Sequence, residues 1–167
     1  MSEYNHQAKV VTVSDGVAGG TREDASGAAL STLLSGAGFE VVEHSVIPDG
    51  VAAVAGELTR VTVAFAGLVV TTGGTGFAPR DQTPEGTLEV IERQAPGLAE
   101  ASRRSSTLGA LSRGVAGIRG HSIIINLPGS ARGATESLEV VLGVLDHALA
   151  LLSDEKSHHA RHPHPQP

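Results

Sequence analysis

Cysteine is absent from the 167-residue chain, which rules out disulfides, thiolate metal sites, iron–sulfur clusters and a cysteine nucleophile. Tryptophan is missing too, and aromatic residues make up only 2% against 40% hydrophobic residues overall. The core must therefore be aliphatic and rich in alanine. There is no excess of basic charge: the formal net charge of −6 argues against a nucleic-acid partner held by bulk electrostatics. It leaves room for a phosphorylated small molecule, which needs only a local positive pocket. No apolar run reaches the roughly 20 residues of a membrane-spanning helix. The opening residues Met1 to His6 carry no apolar stretch of the kind a signal peptide needs. The expectation is a cytoplasmic protein of one ordinary domain, able to bury about two-thirds of its unfolded surface.

What is present is glycine, concentrated at one place. The run Thr71-Thr72-Gly73-Gly74-Thr75-Gly76-Phe77-Ala78-Pro79-Arg80-Asp81-Gln82-Thr83-Pro84-Glu85 follows Ala66-Gly67-Leu68-Val69-Val70. That preceding stretch has the length and β-branched content of a buried strand. Three glycines in four positions let the backbone turn sharply and approach a bound group closely. Thr83 suits a helix N-cap, Pro84 the first helical position, and Glu85 the positive end of the helix dipole. Strand, glycine turn and helix start together make a place to hold phosphate. It is neither a Walker A loop, since no Gly-Lys-Ser/Thr follows, nor a dinucleotide fingerprint, since the third glycine is missing at the required spacing.

The rest of the chain alternates between strand and helix. Lys9 to Ser14 reads as a buried first strand, and a glycine-rich loop from Gly16 to Glu23 leads to a helix capped near Asp24. That helix carries the stripe Leu30, Leu33, Leu34 and Ala37, with Gly38 as its stop. Glu40 to Val46 is a second, shorter strand, ending in the turn residues Pro48-Asp49-Gly50. The next helix shows Val51, Val54, Ala55 and Leu58 at helical spacing. After the glycine run, a helix turns Leu88 and Ile91 inward, Pro96-Gly97 interrupts it, and Leu98 to Ser106 continues as helix. Arg113 to Arg119 and His121 to Leu127 flank Gly120 as a hairpin. A final helix has Leu138, Val141, Leu142, Leu145, Leu149 and Leu152 on one face.

Such alternation predicts an α/β three-layer sandwich: a mostly parallel sheet with helices on both faces and a small β-hairpin. The domain is placed at residues 1–152, with 153–167 a disordered tail rich in histidine and proline. Four of the eight histidines fall in residues 158–167, where a metal-binding role is the less favoured reading. Ligands in open parallel sheets bind beyond the carboxyl ends of the strands. Ser14-Asp15, Pro48-Asp49, the glycine run and Pro128-Gly129-Ser130 all follow such ends, so four strand exits should converge on one crevice.

Asp49 and Asp81 are the candidate catalytic carboxylates. A pair of carboxylates beside a phosphate-binding turn can hold Mg²⁺, which takes one or two carboxylates plus substrate phosphates. Arg80, Arg113 and Arg119 are candidate phosphate contacts, because a planar guanidinium binds phosphate bidentately. Ser112 could bond a phosphate or cap a turn. His44, His121 and His147 lack ligand spacing and receive no role. Ser14 has no nucleophile elbow or histidine partner, so serine hydrolysis is not expected.

The fifteen-residue glycine run resembles the TTGGTG…RDxTPEA signature of the molybdenum-cofactor biosynthesis family that includes MogA, MoaB and the gephyrin G domain. Further segments are similar to that family's elements: Ser14-Asp15 with Arg22 to Gly27, Ser112 to Gly120, and Asn126-Leu127-Pro128-Gly129-Ser130, where Ala131 replaces the usual proline. The matches span Val10 to about Leu149. Carried onto this sequence, the resemblance implies Asp49 and Asp81 as the catalytic and magnesium-holding pair. It implies Ser14, Asp15, Thr72, Gly73, Gly74, Thr75, Gly76, Arg80, Ser112, Arg113, Gly117, Asn126, Pro128, Gly129 and Ser130 as binding residues. The activity implied is adenylyl transfer from ATP to molybdopterin, with release of pyrophosphate. The partners implied are a homotrimer and a metal-inserting MoeA-type protein that receives the product. Two other readings share the fold: a MoaB-type molybdopterin binder without catalysis, and a CinA-like nucleotide hydrolase, which the Arg80 position fits poorly.

Overall fold

The computed structural model describes residues 6–153; the His-rich tail expected from the sequence lies outside them. Six strands form one sheet in the order β2-β1-β3-β6-β5-β4. Strands β1 (Gln7–Val13), β2 (Glu40–Ile47), β3 (Gly67–Thr72) and β6 (Ser122–Leu127) run parallel. Strand β5 (Ala116–Arg119) is antiparallel to β6, joined through Gly120 at φ +54°, and a two-residue β4 (Arg93–Gln94) pairs antiparallel with β5. The chain moves from β1 outward to β2 and then returns to place β3 on the other side of β1. That reversal puts the topological switch point between the exits of β1 and β3.

Alternation along the central strands divides the core. Val10, Leu68, Val70, Ile123 and Ile125 face one side, where α2 (Ala25–Gly36), α5 (Pro96–Arg103) and α6 (Ala131–Ser153) cover them with Leu30, Leu34, Leu138, Val141 and Leu145. Val11, Val13, Val69 and Ile124 face the other, under Val54, Leu58 and Val61 of α3 (Val51–Thr62). Both faces are thus covered, and β3 and β6 are buried along their whole length. Full burial of an aliphatic side chain stabilises by about 1.5–3 kcal/mol, so this double-sided packing is the main force that holds the layers together.

Several local expectations change. The loop after β1 contains a short helix, α1 (Asp15–Ala18), which Ser14 caps by accepting from the Val17 amide. Strand β2 is eight residues long rather than the shorter one; as an edge strand it is half-exposed throughout, so its sequence lacks the apolar run of a buried strand. Helix α4 (Thr83–Leu88) has Gln82, not Thr83, at its N-cap position, without a side-chain capping bond, and ends with Leu88 45% exposed instead of inward. The chain beyond it leaves the helix because the outer edge of β5 captures it: Glu92 donates to the Ile118 carbonyl and Ala95 to that of Ala116, both at 2.8 Å. Helix α5 stops at Arg103 and a 3₁₀ turn, Thr107–Leu111, follows. The first hairpin strand begins only at Ala116, because Arg113 and Val115 commit their amides elsewhere, to the Thr75 carbonyl and the Asn126 side chain.

Candidate functional site

The four strand exits do meet. The Ser14 amide donates to the Ile47 carbonyl at 2.9 Å, and the Gly73 amide to the Leu127 carbonyl at 3.1 Å. The Thr72 hydroxyl donates to the Pro128 carbonyl at 2.7 Å, and a Cβ on Gly129 would stand 3.2 Å from the Gly73 Cα. The exits of β1 and β2 are therefore tied to each other, as are those of β3 and β6, and the two pairs abut where the Val13 carbonyl lies close against Gly73. Above them lies a cavity of about 950 Å³ whose floor includes Ser14, Asp49, Thr72 to Gly76 and Asp81.

Gly73 and Gly74 lie at φ +100° and +63°, a region that L side chains rarely enter. This turn is locked from behind by Thr83, whose buried hydroxyl donates to the Gly73 carbonyl at 2.8 Å while its amide reaches the Gly74 carbonyl at 3.0 Å. The amides of Gly74, Thr75 and Gly76 make no hydrogen bond within the described residues. Successive unpaired N–H groups in such a turn form an anion-binding concavity.

The two candidate carboxylates flank this turn. A Cβ on Gly74 would stand 3.0 Å from Asp49 Oδ1, and one on Gly76 would stand 2.8 Å from Asp81 Oδ2. Glycine at these positions is what allows the carboxylates so close. Asp49 Oδ2 accepts from the Asp15 amide at 2.9 Å and Asp81 Oδ2 from the Ala78 amide at 3.0 Å. In each, the other oxygen makes no hydrogen bond within the described residues, so two monodentate carboxylate oxygens and a bound phosphate fit the donor set of Mg²⁺.

The arginines expected to hold phosphate are otherwise employed. Arg80 forks onto Asp15, Nε to Oδ2 at 3.0 Å and Nη2 to Oδ1 at 2.9 Å, and Nη2 also reaches the Asp49 carbonyl at 3.0 Å. Asp15 in turn accepts from the Asp49 amide at 3.0 Å. The guanidinium holds the Asp15 carboxyl below its usual range, and neither residue lines the cavity. Arg113 donates to the Gly76 carbonyl at 2.8 Å, to the Asp81 carbonyl and to the Glu85 carboxylate, which it likewise holds below its usual range. It clamps the ends of the glycine loop.

Asn126 and Ser112 line the cavity but serve the frame. Asn126 is 5% exposed and bridges the hydroxyls of Thr71 and Thr87 at 3.0 and 2.9 Å. The Ser112 hydroxyl accepts from the Gly114 amide at 3.2 Å, and that of Ser130 caps α6 by accepting from Gly133 at 3.1 Å. Two expected residues lie elsewhere. Gly117 sits inside the sheet, where a Cβ would press on Ile91 and the Arg93 carbonyl. Arg119 is at the amino end of the parallel strands, donating to the Thr62 hydroxyl at 3.1 Å and the Val90 carbonyl at 2.9 Å; β5 runs opposite to its neighbours, so its carboxyl end is on the far edge.

Three arginines that the sequence reading gave no role also line the cavity, although Arg22 opens a segment similar to one of the family's. Arg103 and Arg132 reach the cavity from α5 and from the first turn of α6, and Arg22 from the loop before α2. Arg132 stands two residues after the Pro128-to-Ser130 loop, a position that could have signalled it; nothing in the sequence marks Arg103. His44, given no role, pairs with the α2 cap: its Nε2 lies 2.8 Å from Asp24 Oδ2, which also accepts from the Thr12 hydroxyl at 2.8 Å.

A glycine turn with free amides, two carboxylates and a roomy crevice at the switch point of a parallel sheet define an α/β domain whose site has the layout suited to an anionic small molecule. Residues 9–147 match the family model described as a probable molybdopterin binding domain, and the chain belongs to that family of molybdenum-cofactor biosynthesis. The molybdopterin adenylyltransferase of Helicobacter pylori strain J99 is 37% identical over 86% of this chain and 85% of its own. The crystal structure of the molybdopterin biosynthesis enzyme MoaB from Thermus thermophilus is 45% identical, with a TM-score of 0.81 over 88% of this chain and 96% of that one. A MogA structure is 41% identical, with a TM-score of 0.83 over 87% and 99%. The Drosophila melanogaster molybdenum cofactor synthesis protein cinnamon is 36% identical over 89% of this chain, but the chain spans only 26% of that longer relative.

Proposed function

We propose that the chain is a molybdopterin adenylyltransferase. The observation that carries this reading is the unpaired amide turn at Gly74 to Gly76 with Asp49 and Asp81 against it, in a chain similar to adenylyltransferases over most of their length. In the reaction, a terminal phosphate oxygen of molybdopterin attacks the α-phosphorus of ATP. The bond from that phosphorus to the bridging oxygen breaks, and pyrophosphate leaves. Both substrates are anions that repel each other, so the protein's task is to position them and to neutralise the charge that builds during transfer. The amides of the turn bind phosphate oxygens. Asp49 and Asp81 would hold Mg²⁺, which when bound supplies charge neutralisation to the phosphates. Arg80 and Arg113 keep the two carboxylates in place by bonding the backbone beside each of them. No covalent intermediate on the protein is required.

The match to a family model described as a probable molybdopterin binding domain supports a second reading, a molybdopterin binder without catalysis. Pyrophosphate release separates the two: with ATP, Mg²⁺ and molybdopterin the enzyme reading expects release that stops when molybdopterin is left out. Tight molybdopterin binding with no release would support the binder. The proposed assembly is a homotrimer, and the proposed recipient of the product is a metal-inserting MoeA-type protein.

A further inference from the structure

Five arginines stand in or beside the cavity, and four have partners. Arg80 and Arg113 hold Asp15 and Glu85. Arg103 donates to the Gly114 carbonyl at 2.7 Å, and Arg132 pairs with Glu136 at 2.7 Å. Arg22 lines the same cavity as Asp49 and Asp81, and its guanidinium makes no hydrogen bond or ion pair with any described residue. Lys9, the described lysine, is committed to the Val61 carbonyl and Glu43.

Arg22 is also held where it stands. The Gly16 carbonyl accepts from the Arg22 amide at 3.1 Å, from the Thr21 amide at 2.9 Å and from the Thr21 hydroxyl at 3.1 Å. Those bonds close the loop on the start of α1. The arginine stem then lies across Gly16, where a Cβ would come within 2.8 Å of Arg22 Cδ. Two residues on, Asp24 caps α2 by accepting from the Gly27 amide at 2.9 Å and is itself gripped by Thr12 and His44. The backbone on both sides of Arg22 is thus tied down while its charged end is free. A cation in that state, lining the same cavity as Asp49 and Asp81, is suited to an anion that arrives with the substrate.

We propose that Arg22 is the residue that supplies the cationic contact to a substrate phosphate in this site. The inference rests on the reading that the cavity takes phosphorylated substrates. It moves the role that the sequence suggests for Arg80 and Arg113 to a residue outside the glycine run.

Calorimetric titration of the full chain with ATP, inorganic pyrophosphate and molybdopterin tests it, comparing wild type with Arg22→Gln, Arg22→Lys and Arg104→Gln. Arg104 pairs with Glu100 away from the cavity and controls for net charge. Arg22→Gln should weaken at least one ligand by about 10-fold or more, the scale of one charge-assisted hydrogen bond. Arg22→Lys should restore part of the loss, and Arg104→Gln should have no effect. A loss confined to ATP and pyrophosphate assigns Arg22 to the nucleotide phosphates; a loss confined to molybdopterin assigns it to the pterin's phosphate. Arg22 is exposed, so the melting temperature should not move. Binding of all three ligands within about twofold of wild type, or an equal loss in Arg104→Gln, would overturn the inference and leave the proposed function standing. Wild type that binds none of the three would take both down.

Discussion

Asp81 Oδ2 accepts from the Ala78 amide beside Gly76, and Oδ1 makes no hydrogen bond within the described residues. Asn at this position can keep the first bond through its amide oxygen while losing the negative charge. Asp81→Asn should therefore fold with an unchanged melting temperature, yet lose about 100-fold or more in turnover if the charge acts on the transition state. Near wild-type pyrophosphate release with unaltered Mg²⁺ dependence would reduce Asp81 to a turn-forming residue. Arg80 and Arg113 lead to a different expectation, because their partners Asp15 and Glu85 have carboxyls lowered from the ordinary 3.8 and 4.5. A carboxylate lowered in the folded state contributes stability that is fully present above its unfolded value and lost as pH falls through the folded one. Thermal melts should thus show stability dropping below about pH 4, and Arg80→Gln or Arg113→Gln should flatten part of that drop. Both pairs are exposed at the surface, so the effect of each should be small. Melts of the two variants that parallel wild type down to about pH 3 would contradict it.

Among the elements, the α3–α4 contact holds the glycine loop from one side. Gly86 of α4 approaches so closely that a Cβ would meet Val54 Cβ at 2.7 Å and the Val51 carbonyl at 2.8 Å. Neither neighbour can swing away, since one is a branched carbon in a packed helix and the other is backbone. Gly86→Ala should destabilise by about 1–3 kcal/mol, the range for overpacking, measurable by urea denaturation. It should also raise the KM for ATP, because α4 carries Thr83, the lock behind Gly73. Unchanged stability would mean that α3 and α4 slide apart without loss. Reading elements from periodicity succeeded where core packing sets the pattern, on both faces in β3 and β6 and on one face in α6. It failed at β4 and at the end of α4, where a neighbouring strand's unpaired edge set the conformation.

For the molecule as a whole, α6 leaves Val140, Val144 and Leu151 at 52, 54 and 56% exposure. These positions share one helix face, on the side away from the core residues Leu138, Val141 and Leu145. Self-association would remove such a row from water, and the homotrimer proposed from the family resemblance is the form of assembly to test. Sedimentation of the full chain should give a trimer at micromolar concentration, and Val144→Glu should shift it to smaller species without loss of helix. A wild-type monomer at that concentration would remove the assembly from the proposal.

The main alternation of strands and helices, apart from α1, β4 and the 3₁₀ turn, could be read from the sequence, as could the three-layer class, the aliphatic core, the glycine turn and the two carboxylates. Each depends on neighbours along the chain: apolar period, turn chemistry and caps are local properties, and the glycine run carries its signature in fifteen consecutive residues. The partners of the charged groups could not be read. Arg80 reaches Asp15 across 65 residues and Arg113 reaches Glu85 across 28, and nothing in the spacing of a sequence says which carboxylate an arginine will find. The same holds for Gly117 and Arg119, which lie in a segment similar to the family's but on a strand that runs the other way. Which arginine stays free for a ligand is decided by what the fold brings beside each one, and for Arg22 it brings a glycine, a closed loop and open cavity.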